Sequence, residues 1–148
     1  MKSFIYCDSN VLSVLATGRG LEERPEEERA INELRVKLLT NEVVLINSYV
    51  LRAELGAYGD PRNRALRREL LKRARKVVIR TRTIDRRSTQ LRTIAALSLR
   101  DAQHIACAEA AGAKALLTYD KHMLDAARFA KVAVIRPSEY LRQEIEKV

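Results

Sequence analysis

The sequence predicts an α/β fold: a central, mainly parallel sheet covered by helices on both faces, giving a three-layer α/β/α sandwich. Three observations carry that reading. Short continuous apolar runs, FIYC, VVLI and VAVI among them, have the length and Val/Ile/Leu content of strands buried on both sides. Segments with apolar residues at helical spacing alternate with these runs, as crossovers between parallel strands require. The 148 residues, 47% hydrophobic and 32% charged, suit one domain with one core, taken as residues 1–148.

The elements follow in order. A first strand covers about Ser3 to Asp8, and a helix runs from about Ser9 to Ala16 until Gly18 and Gly20 break it. The loop RGLEERP leads to an amphipathic helix, Glu26 to Leu39. It has acids in its first turn and Ile31, Leu34 and Leu38 at helical spacing. Val43 to Ile46 is a second strand, and Asn47 or Ser48 caps a helix reaching about Tyr58. Pro61 opens an Arg-rich helix. Val77 to Ile79 reads as a third strand. TIDRRSTQLRTIAAL is a weaker helical segment and SLRDAQHIACAEAAG a strong one, closed by Gly112. KALLTYD holds the fourth strand, HMLDAARFA a short helix and VAVI the last strand. Pro137 and Ser138 turn into a terminal helix.

The formal net charge is +9, with Arg outnumbering Lys. A basic surface favours a polyanionic partner, because each cation placed on a phosphate releases counterions. Aromatics are only 5% and Trp is absent, so a stacking platform for single-stranded bases does not dominate. Cys7 and Cys107 do not suggest a disulfide framework, and a reducing cytoplasm is expected. No apolar run approaches the roughly 18 residues of a membrane span, and the N-terminus does not read as a signal peptide.

Four acids stand out. Right-handed crossovers bring strand C-termini to one edge, where ligand sites in such sheets lie. Asp8 and Asp120 both fall at strand ends. Each also has a structural reading as a helix cap, although Ser9 or Asn10 could cap the first helix in place of Asp8. Glu54 lies within the apolar arc of Val50, Leu51, Leu55 and Tyr58, where a carboxylate is costly without a partner. An Arg partner would satisfy it, and so would a metal. Asp101 follows Ser98 at capping-box spacing. Thr118 places a hydroxyl two residues before Asp120. Four carboxylates converging on one sheet edge would repel, and a hard divalent cation such as Mg²⁺ or Mn²⁺ relieves that repulsion. An acidic, metal-loaded pocket in a basic protein suits a phosphodiester substrate.

With FIYCDSNVL near the start, SYVLRAEL in the middle, LSLRDAQHIACAEAAGAKALLTYDKHML late and VIRPSEYL at the end, the chain resembles the PIN-domain nucleases. The resemblance is nearest to small prokaryotic VapC-type toxins. It implies an α/β/α sandwich that cleaves RNA with Mg²⁺ or Mn²⁺ held by acids, leaving 5′-phosphate and 3′-hydroxyl ends. It maps Asp8, Glu54, Asp101 and Asp120 onto the acidic cluster, with Glu54 acting through water. Ser9, Asn10 and Thr118 would orient carboxylates or substrate. It also implies an RNA substrate, a homodimer and, for a toxin, an antitoxin partner; the lack of a long apolar run implies no membrane association.

Two other readings stay open. One is a non-catalytic PIN-like module that binds RNA or protein; the other is a free-standing RNA-processing nuclease. A D-x-D phosphatase is disfavoured because Asn10 stands where its second Asp belongs. His104 reads as a structural residue, His122 as a surface residue and Cys7 as core. The Arg-rich stretch 62–87 reads as an RNA grip, a solvated face or a site for an acidic segment.

Overall fold

The structure, a computed structural model, describes residues 2–57, 60–77 and 81–146. Five parallel strands form the sheet in the order β3-β2-β1-β4-β5. These are β1 (Ser3–Cys7), β2 (Val43–Asn47), β3 (Arg75–Lys76), β4 (Ala115–Leu117) and β5 (Ala133–Ile135). The chain winds outward from β1 through β2 to β3, then returns to the other side of β1 for β4 and β5. The winding direction therefore reverses between β1 and β4. A crevice opens at such a switch point, beyond the strand C-termini.

Helices α1 (Ser9–Thr17) and α2 (Pro25–Leu39) connect β1 to β2, and α3 (Tyr49–Ala57) and α4 (Pro61–Leu71) connect β2 to β3. Helices α5 (Thr81–Ala95) and α6 (Leu99–Ala110) lead back to β4. Helix α7 (Lys121–Asp125), followed by a 3₁₀ turn at Ala127–Phe129, leads to β5, and α8 (Pro137–Glu146) ends the chain. Helix α2 packs on α1 and α8, α1 on α4, and α6 on α5 and α3. The core is the apolar content of the central strands, with Ile5, Tyr6 and Cys7 of β1, Leu45 and Ile46 of β2 and Ala115, Leu116 and Leu117 of β4 all buried. Gly18 ends α1 in the left-handed conformation, at φ 67°, which a Cβ disfavours.

The expected third strand needs correction. Pairing with β2 is made by Arg75 and Lys76, opposite Ile46 and Asn47, and the Val77 N–H extends it by donating to the Asn47 carbonyl. Val78 and Ile79 lie outside the described residues, as does Tyr58. Exposed Arg and Lys are tolerated in β3 because it is an edge strand, where charge also discourages pairing with another chain. Of the two proposed caps for α3, Ser48 serves, its Oγ accepting the Leu51 N–H at 3.2 Å. Asn47 stays in β2.

Candidate active site

Asp8 follows β1 directly and is 4% exposed. Its Oδ1 accepts the Val11 N–H at 2.9 Å, and its Oδ2 accepts the Thr118 hydroxyl at 2.5 Å. Asp8 is thus the N-cap of α1, with extended backbone at φ −69° and ψ 173°. This corrects the expectation that Ser9 or Asn10 takes over the capping. Both are already helical, and an N-cap side chain must precede the first helical residue. Capping uses one oxygen and Thr118 the other, so the cap and the site share a side chain. Burial pushes the Asp8 carboxyl above its ordinary range, and the charge of Asp120 pushes the same way. The bonds from Thr118 and Val11 and the nearness of His104 oppose them.

Thr118 follows β4 and is fully buried. While its hydroxyl donates to Asp8, its oxygen accepts the Asp120 N–H at 3.0 Å. Asp120 is half-buried and caps α7, its Oδ1 accepting the N–H groups of His122 at 2.8 Å and Met123 at 3.3 Å. The two strand-end acids are therefore linked through one hydroxyl across the β1/β4 switch point.

Asp101 lies in the first turn of α6, its N–H donating to the Oγ of the cap residue Ser98 at 3.2 Å. Burial raises its carboxyl above the ordinary range, and the charges of Asp120 and Glu54 add to the rise. The Ser98 hydrogen bond and His104 lower it.

Glu54 is 7% exposed on α3, as its place on the apolar arc requires. Its Oε1 lies 2.6 Å from His104 Nε2 and 3.6 Å from Arg100 Nε. His104 Nδ1 lies 2.7 Å from the Tyr6 hydroxyl, which is 2.8 Å from Ser48 Oγ. Arg67 of α4 is also buried, near enough for the Glu54 charge to oppose the lowering that burial imposes on the guanidinium. The Arg-rich helix is therefore not uniform, since Arg67 turns inward while Arg62 and Arg68 are exposed.

His104, Tyr6 and Ser48 were not read from the sequence as neighbours of the acids. The available signal was the spacing of Asp101 and His104, which puts both on one face of α6. Ser9 is half-buried and Asn10 exposed at the start of α1. Cys7 is a buried free thiol.

The acids feel one another electrostatically: Asp8 with Asp120, Asp101 with Asp120, and Asp101 with Glu54. A mutually repelling set of oxygen donors fits a hard divalent cation. Among the described residues, no three His, Cys, Asp or Glu side chains stand close enough to enclose a metal ion. The acids form a cluster rather than a ready-made cage. Two surface grooves beside α1 and α4, about 340 and 420 Å³, contain none of the four acids.

The family model described as PIN domain matches residues 5–129. The chain belongs to the PIN-domain family. Members of that family are typically nucleases. The PIN fold is also seen in two solved structures. PAE2754 from Pyrobaculum aerophilum is 14% identical with a TM-score of 0.57, over 97% of this chain and 90% of that one. FitAcB from Neisseria gonorrhoeae is 20% identical with a TM-score of 0.54, over 90% of this chain and 97% of that one. At these identities the likeness is one of fold. Comparison with curated protein sequences gives no significant match. Among the described residues no helix is long and apolar enough to cross a membrane.

Proposed function

We propose that this PIN protein is a Mg²⁺- or Mn²⁺-dependent endoribonuclease that hydrolyses RNA phosphodiester bonds. We further propose that it is the toxin of a VapBC-type toxin–antitoxin pair, working in the cytoplasm as a homodimer. The observation that carries the catalytic reading is the buried Asp8 carboxylate at the switch point, tied through Thr118 to Asp120. A buried acid costs stability, and a cap alone does not call for its burial beside other acids.

Asp8, Asp101 and Asp120 would hold the metal, with Glu54 reaching it through water. When bound, the ion supplies an activated water and positive charge opposite the charge growing on the leaving oxygen. Thr118 fixes one Asp8 oxygen and the Val11 N–H the other, so the carboxylate is oriented before substrate arrives. Ser9 and Asn10, at the start of α1, would orient the scissile phosphate. The net charge of +9 holds the polyanion against the acids.

One observation favours a second reading, a non-catalytic RNA- or protein-binding PIN module: Glu54 is engaged by His104 and Arg100, and no metal cage is preformed. Incubating the purified protein with RNA separates the two. The nuclease reading expects cleavage that needs Mg²⁺ or Mn²⁺, stops with EDTA and disappears in Asp8→Asn with the fold intact. Binding without cleavage would support the module instead. An antitoxin is tested by co-expression with the short open reading frame upstream, if one is present.

A further inference from the structure

We propose that His104 is a positioning residue for Glu54, held in one tautomer by a one-way chain of hydrogen bonds that begins at the N-cap of α3. The inference rests on Glu54 being one of the site acids. The chain runs from Ser48 Oγ to the Tyr6 hydroxyl (2.8 Å), to His104 Nδ1 (2.7 Å), and from His104 Nε2 to Glu54 Oε1 (2.6 Å). All four residues are buried, so water does not satisfy these groups in their place.

The direction follows from what each group can do. A carboxylate only accepts, so the proton between Nε2 and Glu54 belongs to Nε2. A neutral ring then has an acceptor at Nδ1, and the Tyr6 hydroxyl donates to it. Having given its proton to His104, Tyr6 accepts from the Ser48 hydroxyl. The Ser48 oxygen accepts the Leu51 N–H at 3.2 Å. Every donor is used once. The reverse direction needs a proton on Nδ1. It also leaves the Ser48 hydroxyl with the neighbouring Cys107 sulfur, a weak acceptor.

The chain binds three elements into one frame: Tyr6 from β1, His104 from α6, and Ser48 with Glu54 at the two ends of a turn and a half of α3. The His104 ring also stands edge-on to Tyr6, with centroids 5.6 Å apart and planes at 63°, which resists rotation of the imidazole. Among the described contacts, Glu54 Oε1 takes the hydrogen bond to His104 within and the ion pair with Arg100 at the surface, while the buried Arg67 feels its charge. His104 therefore acts on the site only through Glu54, and in its absence Glu54 would be a buried carboxylate free to turn toward Arg100.

The first test is ¹⁵N NMR of the histidine rings in the metal-free full chain. The chain has two histidines, and His122→Gln removes the other signal. The expected result is a neutral His104 ring with its proton on Nε2, and loss of that fixed tautomer in Tyr6→Phe. A proton on Nδ1, in a neutral or a doubly protonated ring, overturns the proposal. In RNA cleavage, His104→Leu should lower kcat by roughly 10–100-fold with KM unchanged. His104→Gln, which can still donate toward Glu54, should recover most of that loss. Equal losses in Leu and Gln also overturn it. If Glu54→Gln cleaves at the wild-type rate, the site reading itself fails and the positioning role goes with it. If Glu54→Gln is inactive but the ring proton sits on Nδ1, only the positioning role fails.

Discussion

Thr118 donates to Asp8 at 2.5 Å and accepts the backbone N–H of Asp120 at 3.0 Å, so one buried hydroxyl spans the point where the sheet reverses its winding. The residue after β1 and the third residue after β4 are thereby held in a fixed relation. Thr118→Val keeps the shape and removes both the donor to Asp8 and the acceptor of the Asp120 N–H. Asp8 Oδ2 then loses a hydrogen bond to a charged group, at a cost of about 1.5–3 kcal/mol. Urea denaturation at neutral pH without metal should show this as a lower midpoint with an unchanged slope, and Thr118→Ser should stay near wild type. A valine variant as stable as wild type would mean that the bond does not form.

The raised Asp101 carboxyl gives a pH signature. A carboxyl whose folded value lies above its unfolded one contributes stability fully below the unfolded value, near 3.9, and loses it as pH rises through the folded value. Wild type therefore loses this contribution on the way to neutrality, whereas Asp101→Asn has nothing to ionise. Thermal unfolding without metal should show the asparagine variant gaining on wild type as pH rises through that window, then holding a constant difference. A difference that shrinks with rising pH has the wrong sign for this account.

Helix α6 depends on its cap. Ser98 Oγ accepts the Asp101 N–H, and replacing a serine cap by alanine costs about 1 kcal/mol. Ser98→Ala should lower the urea midpoint accordingly, while Ser98→Asn should largely preserve it. Because the cap also places Asp101, the alanine variant should bind Mn²⁺ more weakly than Ser98→Asn does, as read by titration calorimetry. Equal affinities in the two variants would separate the cap from the site.

The strands β1, β2 and β4 were legible because burial leaves uninterrupted apolar runs in the sequence, and β5, although an edge strand with Ala133 exposed, keeps the apolar run VAVI. The start of the third strand was not legible, because the pairing at this sheet edge is made by the exposed Arg75 and Lys76, with Val77 extending it and Val78 and Ile79 outside the described residues. The cap of α1 was misassigned for a different reason. Asp8, Ser9 and Asn10 are all good caps, and only the backbone shows which one is the last non-helical residue. Among the acids, strand-end position and helical spacing pointed to Asp8, Asp120, Asp101 and Glu54. What spacing along the chain could not show was the bond between Glu54 and His104, residues 50 positions apart that meet only when α3 packs against α6.

The central claim is that Asp8, Asp101 and Asp120 converge to hold a divalent metal at the β1/β4 switch point. Anomalous diffraction from crystals soaked in Mn²⁺ tests it most directly. The account expects one or two peaks between these three carboxylates, absent from Asp8→Asn crystals treated alike. Peaks elsewhere, or none at saturating Mn²⁺, would contradict it.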